Sequence, residues 1–205
     1  MPMFPLGSVV FPGQLLPLHI FEARYQQMLE YCLSEQREFG VVLIERGHEV
    51  GGGDIRSGVG TVVEILEASQ ALPGHWAVVT VGRRRIRVRR WNRDDPWPNA
   101  EVDDLPDEPM GAAAVGELWE SVQRDFRRVR LLAARLSGGA PEKTQYDSDP
   151  GAGSFQLAAL SPLGEFDRQR VLAAVGVGTR LKLLTRVFGE VEETLLAQIR
   201  FDGSN

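Results

Sequence analysis

Arginine is the residue type whose spacing most strongly suggests chemistry in this 205-residue chain. Seven of the 23 basic side chains fall between positions 83 and 93, with no acidic residue among them, in a protein of net charge −5. Guanidinium groups bind phosphate oxygens in pairs, so a run of this kind can contact an RNA backbone. The side chains that would make such contacts are those of Arg83, Arg85, Arg87 and Arg89.

The same arginines can instead form a solvent-exposed face that is paired with acids. Five aspartates follow the run in sequence, where neighbouring strands could place them opposite it: Asp94, Asp95, Asp103, Asp104 and Asp107. Residues 85–91 alternate, which predicts a half-buried strand with Ile86 and Val88 on one face and arginines on the other. Stacking with single-stranded nucleic acid needs aromatic side chains, and only Trp91 and Trp97 are near. We therefore favour ion pairs, and nucleic acid is not the expected partner.

No set of residues has the spacing of a catalytic or metal site. The three histidines, His19, His48 and His75, lack the spacing of zinc ligands, and a single cysteine cannot form an internal disulfide or a structural thiolate site. Cys32 falls on the apolar stripe of a predicted helix, which favours a buried, unreactive thiol. No glycine-rich loop ends in the lysine and hydroxyl residue that hold nucleotide phosphates. We expect no catalytic residue, no cofactor and no metal.

The elements that would position these residues divide the chain in two. The first half has strand-like patterns and turn signals, apart from one helix with an apolar stripe over residues 25–33. Further strands are predicted at residues 39–44, 58–67, 76–81, 85–91 and 99–103. The period at which apolar residues recur changes from two residues, typical of strands, to 3.6 residues, typical of helices, near residues 105–109. The pattern predicts an α+β fold with a β subdomain over 1–105 and a helical subdomain over 106–205.

Start and stop signals organise the second half. Helices are predicted over residues 115–136, 154–160 and 179–201. Ser154 is the expected N-cap of the short helix, and Ser161-Pro162 is the expected start of another. The glycine-rich residues 46–54 and 138–153 are expected to form flexible loops.

Five motifs in the first half occur in a distinctive order. They are the turn Val9-Val10-Phe11-Pro12-Gly13 with a Leu-Pro-Leu strand and a helix after it, the apolar strand 39–44, the Val-Gly-Thr strand 58–65, the segment 76–86, and Asn99-Ala100-Glu101-Val102. In order and spacing they resemble the N-terminal, substrate-binding domain of the Lon protease family. The resemblance implies a PUA-like β pseudo-barrel followed by an α-helical bundle, both within one Lon N-terminal domain.

The resemblance also implies a function. Domains of this family recruit proteins, so we expect a non-catalytic module that binds client or unfolded proteins and works with a protease or chaperone system. Its role could be that of an adaptor, a holdase-like binder or a competitor of full-length Lon. Full-length Lon proteases carry an ATPase and a Ser-Lys protease, and neither is found here. The two lysines, Lys143 and Lys182, lack any supporting motif. We therefore expect a stand-alone form of the domain.

Large apolar side chains at the first turn are the candidate protein-binding surface. Phe11, Leu15 and Leu16 flank the turn and cannot all point inward, and an exposed apolar patch would suit unfolded segments. Packing inside the domain is the competing interpretation. No apolar run approaches the roughly 20 residues that span a bilayer, so we expect a cytoplasmic protein without membrane contact.

Overall fold

The computed structural model describes residues 1–46, 55–109, 111–140 and 144–202. These residues form six strands and five helices, which confirms the α+β fold class. The chain divides into two compact units, Met1–Pro106 and Asp107–Asn205, called here the β unit and the helical unit. Almost all of the loop predicted at residues 46–54 lies outside the described residues.

The β unit contains one helix and all six strands. Their bounds are β1 Met3–Leu6, β2 Leu15–Ile20, α1 Ala23–Ser34, β3 Glu38–Arg46, β4 Ile55–Leu72, β5 His75–Trp91 and β6 Ala100–Asp104. The segments predicted as separate strands at 76–81 and 85–91 form the single strand β5. A bulge replaces the expected break, because Gly82 lets the strand bend without leaving the ladder.

The sheet closes on itself. The strand order is β1-β3-β4-β5, and the other edge of β5 pairs with β2 along its first half and with β6 along its second half. β1 and β3 are parallel, and the remaining pairs are antiparallel. A bridge between Pro2 and Asn99 connects the start of β1 to β6, and there Met3 N donates to Pro98 O at 2.9 Å. The expected β pseudo-barrel is thereby confirmed.

Alternation along the strands gives the β unit two apolar layers. Side chains from five strands fill the barrel interior: Met3, Val42, Val62, Ile86 and Ala100. The opposite face of the same sheet forms a second cluster with α1, which includes Phe4, Val41, Val63, Tyr25, Met28 and Leu29. Because successive residues of a strand point to opposite faces, neighbours such as Met3 and Phe4 belong to different layers.

Gly82 in β5 is the point at which the first turn packs directly on the sheet. Gly13 N donates to Gly82 O at 2.8 Å, and Gly82 N donates to Gln14 O at 2.9 Å. A Cβ atom on Gly82 would lie 2.2 Å from the Phe11 carbonyl oxygen, which is closer than two such atoms can approach. Glycine is therefore required here by close backbone packing.

The substitution Gly82→Ala is expected to destabilise the β unit by about 1–3 kcal/mol, because the backbone of the first turn must move. Gly58→Ala is the matched control, since that glycine lies in β4 and has no atom within 4 Å of its added Cβ. Urea unfolding followed by circular dichroism compares the two variants. Equal free energies of unfolding would contradict the close packing at Gly82.

The helical unit consists of α2 Ala112–Leu136, α3 Pro150–Ala159, α4 Glu165–Ala173 and α5 Val177–Asp202. The expected cap at Ser154 is wrong. Asp149 caps α3, since its carboxylate accepts a hydrogen bond from Ala152 N at 2.9 Å, and Pro150 occupies the first turn. Ser154 is buried inside the helix, where its hydroxyl donates to Gly151 O.

The expected helix start at Ser161-Pro162 is also wrong. The Ser161 hydroxyl donates to Leu157 O at 2.6 Å, which closes the end of α3 instead of capping a new helix. α4 begins three residues after Pro162, with Gly164 as its N-cap.

The predicted loop at residues 138–153 is shorter than expected. Its last four residues belong to α3, and residues 141–143 lie outside the described chain. In the part between them, the Tyr146 ring packs edge-on against Trp119 and Phe126, with centroid distances of 6.1 and 5.6 Å. Asp147 N donates to Gln156 Oε1 at 2.6 Å. Residues 144–149 are therefore anchored to the surrounding helices.

Candidate protein-binding groove

Strand β2 lies at an edge of the sheet, since β5 is its only strand partner among the described residues. Its side chains alternate, with Leu15, Pro17 and His19 exposed and Leu16 and Leu18 half-buried. Pro17 has no N–H group to donate, as is typical of edge strands. The edge of the β2 backbone that does not pair with β5 is therefore open to a binding partner, with apolar side chains beside it.

A groove of about 210 Å³ lies between β1 and β2. Its floor is apolar and consists of Phe4, Leu6, Leu18, Ile20 and Tyr25. The remaining lining comes from Pro5, Pro17, His19, Phe21 and Glu22, of which Glu22 is the only acidic residue. The groove therefore suits an extended, largely apolar segment rather than a small charged ligand.

Packing from below fixes the floor of the groove. The Phe4 ring lies 4.3 Å from that of Tyr25 and 6.0 Å from that of Phe39, centroid to centroid. Phe21, which follows β2, is 51% exposed. Its carbonyl oxygen accepts a hydrogen bond from Gln26 Nε2 at 2.6 Å, so α1 holds the backbone at this side of the groove.

The three residues predicted as the binding surface have different environments. Phe11 is 0% exposed and does not line the groove, so its prediction as an exposed side chain is wrong. The turn is held down because Thr61 Oγ1 donates to Val10 O at 2.6 Å and the backbone beyond it pairs with Gly82. Leu15 is 60% exposed, whereas Leu16 is half-buried.

Sequence reasoning missed the part of the groove that follows β2. Leu18 and Phe21 line it, and neither was predicted as a binding residue. An available signal was Pro17 within an alternating segment, which favours an edge strand. The position of β1 on the other side of the groove depends on long-range sheet topology and has no local signal.

The arginine run is paired with acids from the neighbouring strands and β3. Arg83 Nε lies 2.6 Å from Glu64 Oε2, and Arg84 lies 2.9 Å from Glu38 and 3.0 Å from Asp104. The further pairs are Arg89 with Asp103 and Arg90 with Glu101. The interpretation of the run as a face paired with acids is confirmed for these arginines. Of the predicted acids, Asp103 and Asp104 are partners of the run, whereas Asp94 pairs with Arg56 and Asp107 with Arg180.

Arg85 keeps the predicted alternation with Arg87, on the face opposite Ile86, because the ladder is unbroken from the Thr61–Arg85 pair to the Val59–Arg87 pair. Its expected exposure is wrong, since the side chain is only 4% exposed. Its ladder partner Thr61 is buried as well and donates to Val10 O of the first turn, so Arg85 lies in the covered part of that face. Arg87 and Arg89 remain exposed.

The other residues with possible chemistry are accounted for separately. Cys32 is buried on α1, and burial raises the pKa of its thiol to about 11, so it is protonated at neutral pH. Within the described ranges, no group of three or more His, Cys, Asp or Glu side chains could hold a metal ion. No helix among the described residues is both long and apolar enough to cross a membrane.

Relatives of this chain are Lon proteases. Lon protease 2 of Myxococcus xanthus is 26% identical over 208 residues, which cover 100% of this chain and 25% of the relative. Lon protease of Desulfovibrio desulfuricans is 27% identical over 208 residues, covering 100% of this chain and 24% of the relative. The chain thus spans about a quarter of the length of the curated relatives it matches.

Solved structures show the same fold. A Lon N-terminal domain protein from Xanthomonas campestris is 26% identical, with a TM-score of 0.64 over 90% of this chain and 95% of the other. The N-terminal domain of the Mycobacterium avium complex Lon protease is 17% identical, with a TM-score of 0.65 over 92% and 97% of the two chains, and so supports the fold alone. The family model of the ATP-dependent protease La (LON) substrate-binding domain matches residues 1–188. The chain therefore belongs to the LON substrate-binding domain family.

Proposed function

We propose that this chain is a non-catalytic recognition module that binds extended, apolar segments of protein substrates in the groove between β1 and β2. The observation that carries the proposal is the apolar groove beside the open edge of β2. Membership in the LON substrate-binding domain family supports it, because such domains serve substrate recognition. The partners would be client or unfolded proteins of a protease system.

The geometry suits an extended segment for a specific reason. A strand rises roughly 3.3 Å per residue, so a bound segment of about six residues would run along the whole of β2. Alternate side chains of that segment would enter the groove and contact Leu18, Ile20 and Tyr25. Addition of a strand to an open sheet edge combines backbone hydrogen bonds with such pockets. Exposed Leu15 extends the apolar edge toward the first turn.

The lining of the groove also supports a role without catalysis. Its residues include no serine, threonine, cysteine or lysine that could act as a nucleophile. Glu22 is engaged with Arg24, whose Nε donates to it at 3.1 Å. Apart from the His19 imidazole, the groove thus offers contact area rather than reacting groups.

The substitution Phe21→Ser is expected to weaken binding of an unfolded protein about tenfold, since covering the exposed half of a phenylalanine is worth about 1.4 kcal/mol. Phe166→Ser is the matched control, because Phe166 is 75% exposed, belongs to the helical unit and does not line the groove. Fluorescence anisotropy with a labelled, reduced and unfolded reporter measures both affinities, and circular dichroism checks folding. Equal losses in the two variants would contradict a site in the groove.

RNA binding, the alternative function, is tested by repeating that experiment with mixed-sequence RNA. Acidic partners occupy Arg83, Arg84, Arg89 and Arg90, so this face carries less available positive charge than its sequence indicates. We expect reporter binding to change little between low and high salt, and the variant Arg83→Glu/Arg87→Glu to leave it unchanged. Phosphate contacts weaken steeply as salt rises. Salt-sensitive binding of mixed-sequence RNA that is lost in the arginine variant would favour the alternative.

A further inference from the structure

Two histidines that are far apart in sequence lie side by side on the β unit. The antiparallel ladder places Ile20 of β2 opposite Trp76 of β5, so His75 faces position 21 and His19 is its diagonal neighbour. The two rings are stacked, with centroids 5.3 Å apart. His75 Nδ1 lies 3.3 Å from His19 Nε2, and both side chains are exposed.

We propose that His19 and His75 form a two-histidine site for a divalent transition-metal cation, with Nε2 of His19 and Nδ1 of His75 as ligands. Zinc–imidazole bonds measure about 2.0–2.1 Å. With nitrogens 3.3 Å apart, such bonds give an N–Zn–N angle of about 104–111°, which brackets the tetrahedral angle of about 109°. A distance much longer or shorter would exclude a shared tetrahedral ion.

Rotation of the two rings completes the geometry. A cation bound at these distances would lie about 35–38° off the line between the two nitrogens, so both lone pairs must point toward that position. Exposed side chains change rotamer on a fast timescale, and neither ring is buried. In the absence of metal, the same two nitrogens lie within hydrogen-bonding distance of each other.

The donor set determines the kind of ion. Imidazole nitrogen suits zinc, copper and nickel, whereas magnesium and calcium prefer oxygen ligands. Among the described residues no third His, Cys, Asp or Glu side chain joins the pair, so that part of the chain leaves the remaining positions to water. His19 also lines the groove between β1 and β2, and a bound cation would therefore place an open coordination position beside it.

Calorimetric titration of the full chain, without a polyhistidine tag, with zinc chloride tests the site. We expect binding of one zinc ion and a loss of affinity of about tenfold or more in both His19→Gln and His75→Gln, because each removes one of two ligands. His48→Gln is the matched control and should bind as the unaltered protein does. Zinc should also raise the unfolding temperature of the unaltered protein and not that of His19→Gln/His75→Gln.

Three results would overturn the site. One is an affinity for zinc in either single variant equal to that of the unaltered protein. Another is unaltered protein that binds zinc no better than the double variant does. The third is a loss in His48→Gln as large as that in His75→Gln, which would assign the ion to other ligands. Circular dichroism confirms folding, and because both histidines are exposed, glutamine is accommodated at either position.

Discussion

Replacing Arg180 with leucine is expected to destabilise the helical unit by about 3–5 kcal/mol, because it breaks a buried ion pair on one side only. The Arg180 side chain in α5 is 0% exposed. Its two terminal nitrogens donate to the two carboxylate oxygens of Asp107 at 2.8 and 2.7 Å. Leucine leaves the Asp107 carboxylate without this partner while most of its surface remains covered.

The same guanidinium also connects the segment before α2 to α3. Arg180 Nε donates to Ser154 Oγ at 2.7 Å, and a terminal nitrogen donates to Gly151 O at 3.2 Å. Its Cζ atom lies 3.8 Å from the centre of the Phe155 ring, within the range of a cation–π contact. One side chain thus holds three parts of the helical unit, and its loss removes four hydrogen bonds at once.

Arg186→Leu is the matched control on the same helix. Arg186 lies 2.9 Å from Glu190, but both side chains are more than half exposed, and such pairs contribute about 1 kcal/mol or less. Chemical denaturation of both variants measures the difference in free energy of unfolding. If Arg180→Leu costs no more than Arg186→Leu, the buried pair contributes little to stability. Arg180→Lys adds a further comparison, since lysine retains the charge without the planar fork.

Local patterns were sufficient for most elements of the fold. The turn at Pro12-Gly13 forms with Gly13 at φ 80°, as its residue types indicate. The apolar stripe through Tyr25, Met28 and Leu29 is buried along α1. These features depend on residues close together in sequence, where steric preference and burial act in the same direction. The closure of the barrel was expected only from the family resemblance, because the periodicity of the sequence does not indicate it.

Features that depend on distant residues were not predictable in the same way. Arg85 follows the alternation of its neighbours in sequence, yet its side chain is buried beside Thr61, whose hydroxyl donates to Val10 O of the first turn. Asp149 caps α3 five residues before Ser154, the predicted N-cap, because proline at position 150 begins the helix. At Arg85, tertiary packing buries a side chain that the alternation indicates as exposed. At α3, two nearby N-cap signals compete, and the one followed by proline begins the helix.

The candidate site also has a part that the local sequence indicated and a part that depends on residues distant in sequence. The sequence indicated an exposed apolar edge near Leu15, and that side chain is exposed. The groove itself needs the edge of β1 to face the edge of β2, although β1 pairs with β3 and β2 with β5. Only the topology of the sheet brings those two edges together. The proposed binding of a client segment depends on apolar floor residues that a strand pattern indicates only as core.

Phe11→Ser is expected to destabilise the β unit by about 3–5 kcal/mol, the cost of truncating a fully buried phenylalanine, and the added hydroxyl increases the loss. Phe11 is 0% exposed, and its carbonyl oxygen accepts from Gln14 N at 3.1 Å while packing against Gly82. Neither the Phe11 ring nor its backbone can move out of the core without opening the first turn. Thermal unfolding and near-ultraviolet circular dichroism report this loss directly.

Leu15→Ser is the control for that change, since Leu15 is four residues away along the same segment and is 60% exposed. A surface substitution of this kind should alter the free energy of unfolding by about 0.5 kcal/mol or less. Any loss of client binding in Phe11→Ser would then follow from unfolding, whereas a loss in Leu15→Ser would report on the strand edge itself. If Phe11→Ser instead unfolds at the temperature of the unaltered protein and only its client binding falls, Phe11 belongs to the binding surface. The first turn would then be exposed in solution rather than buried.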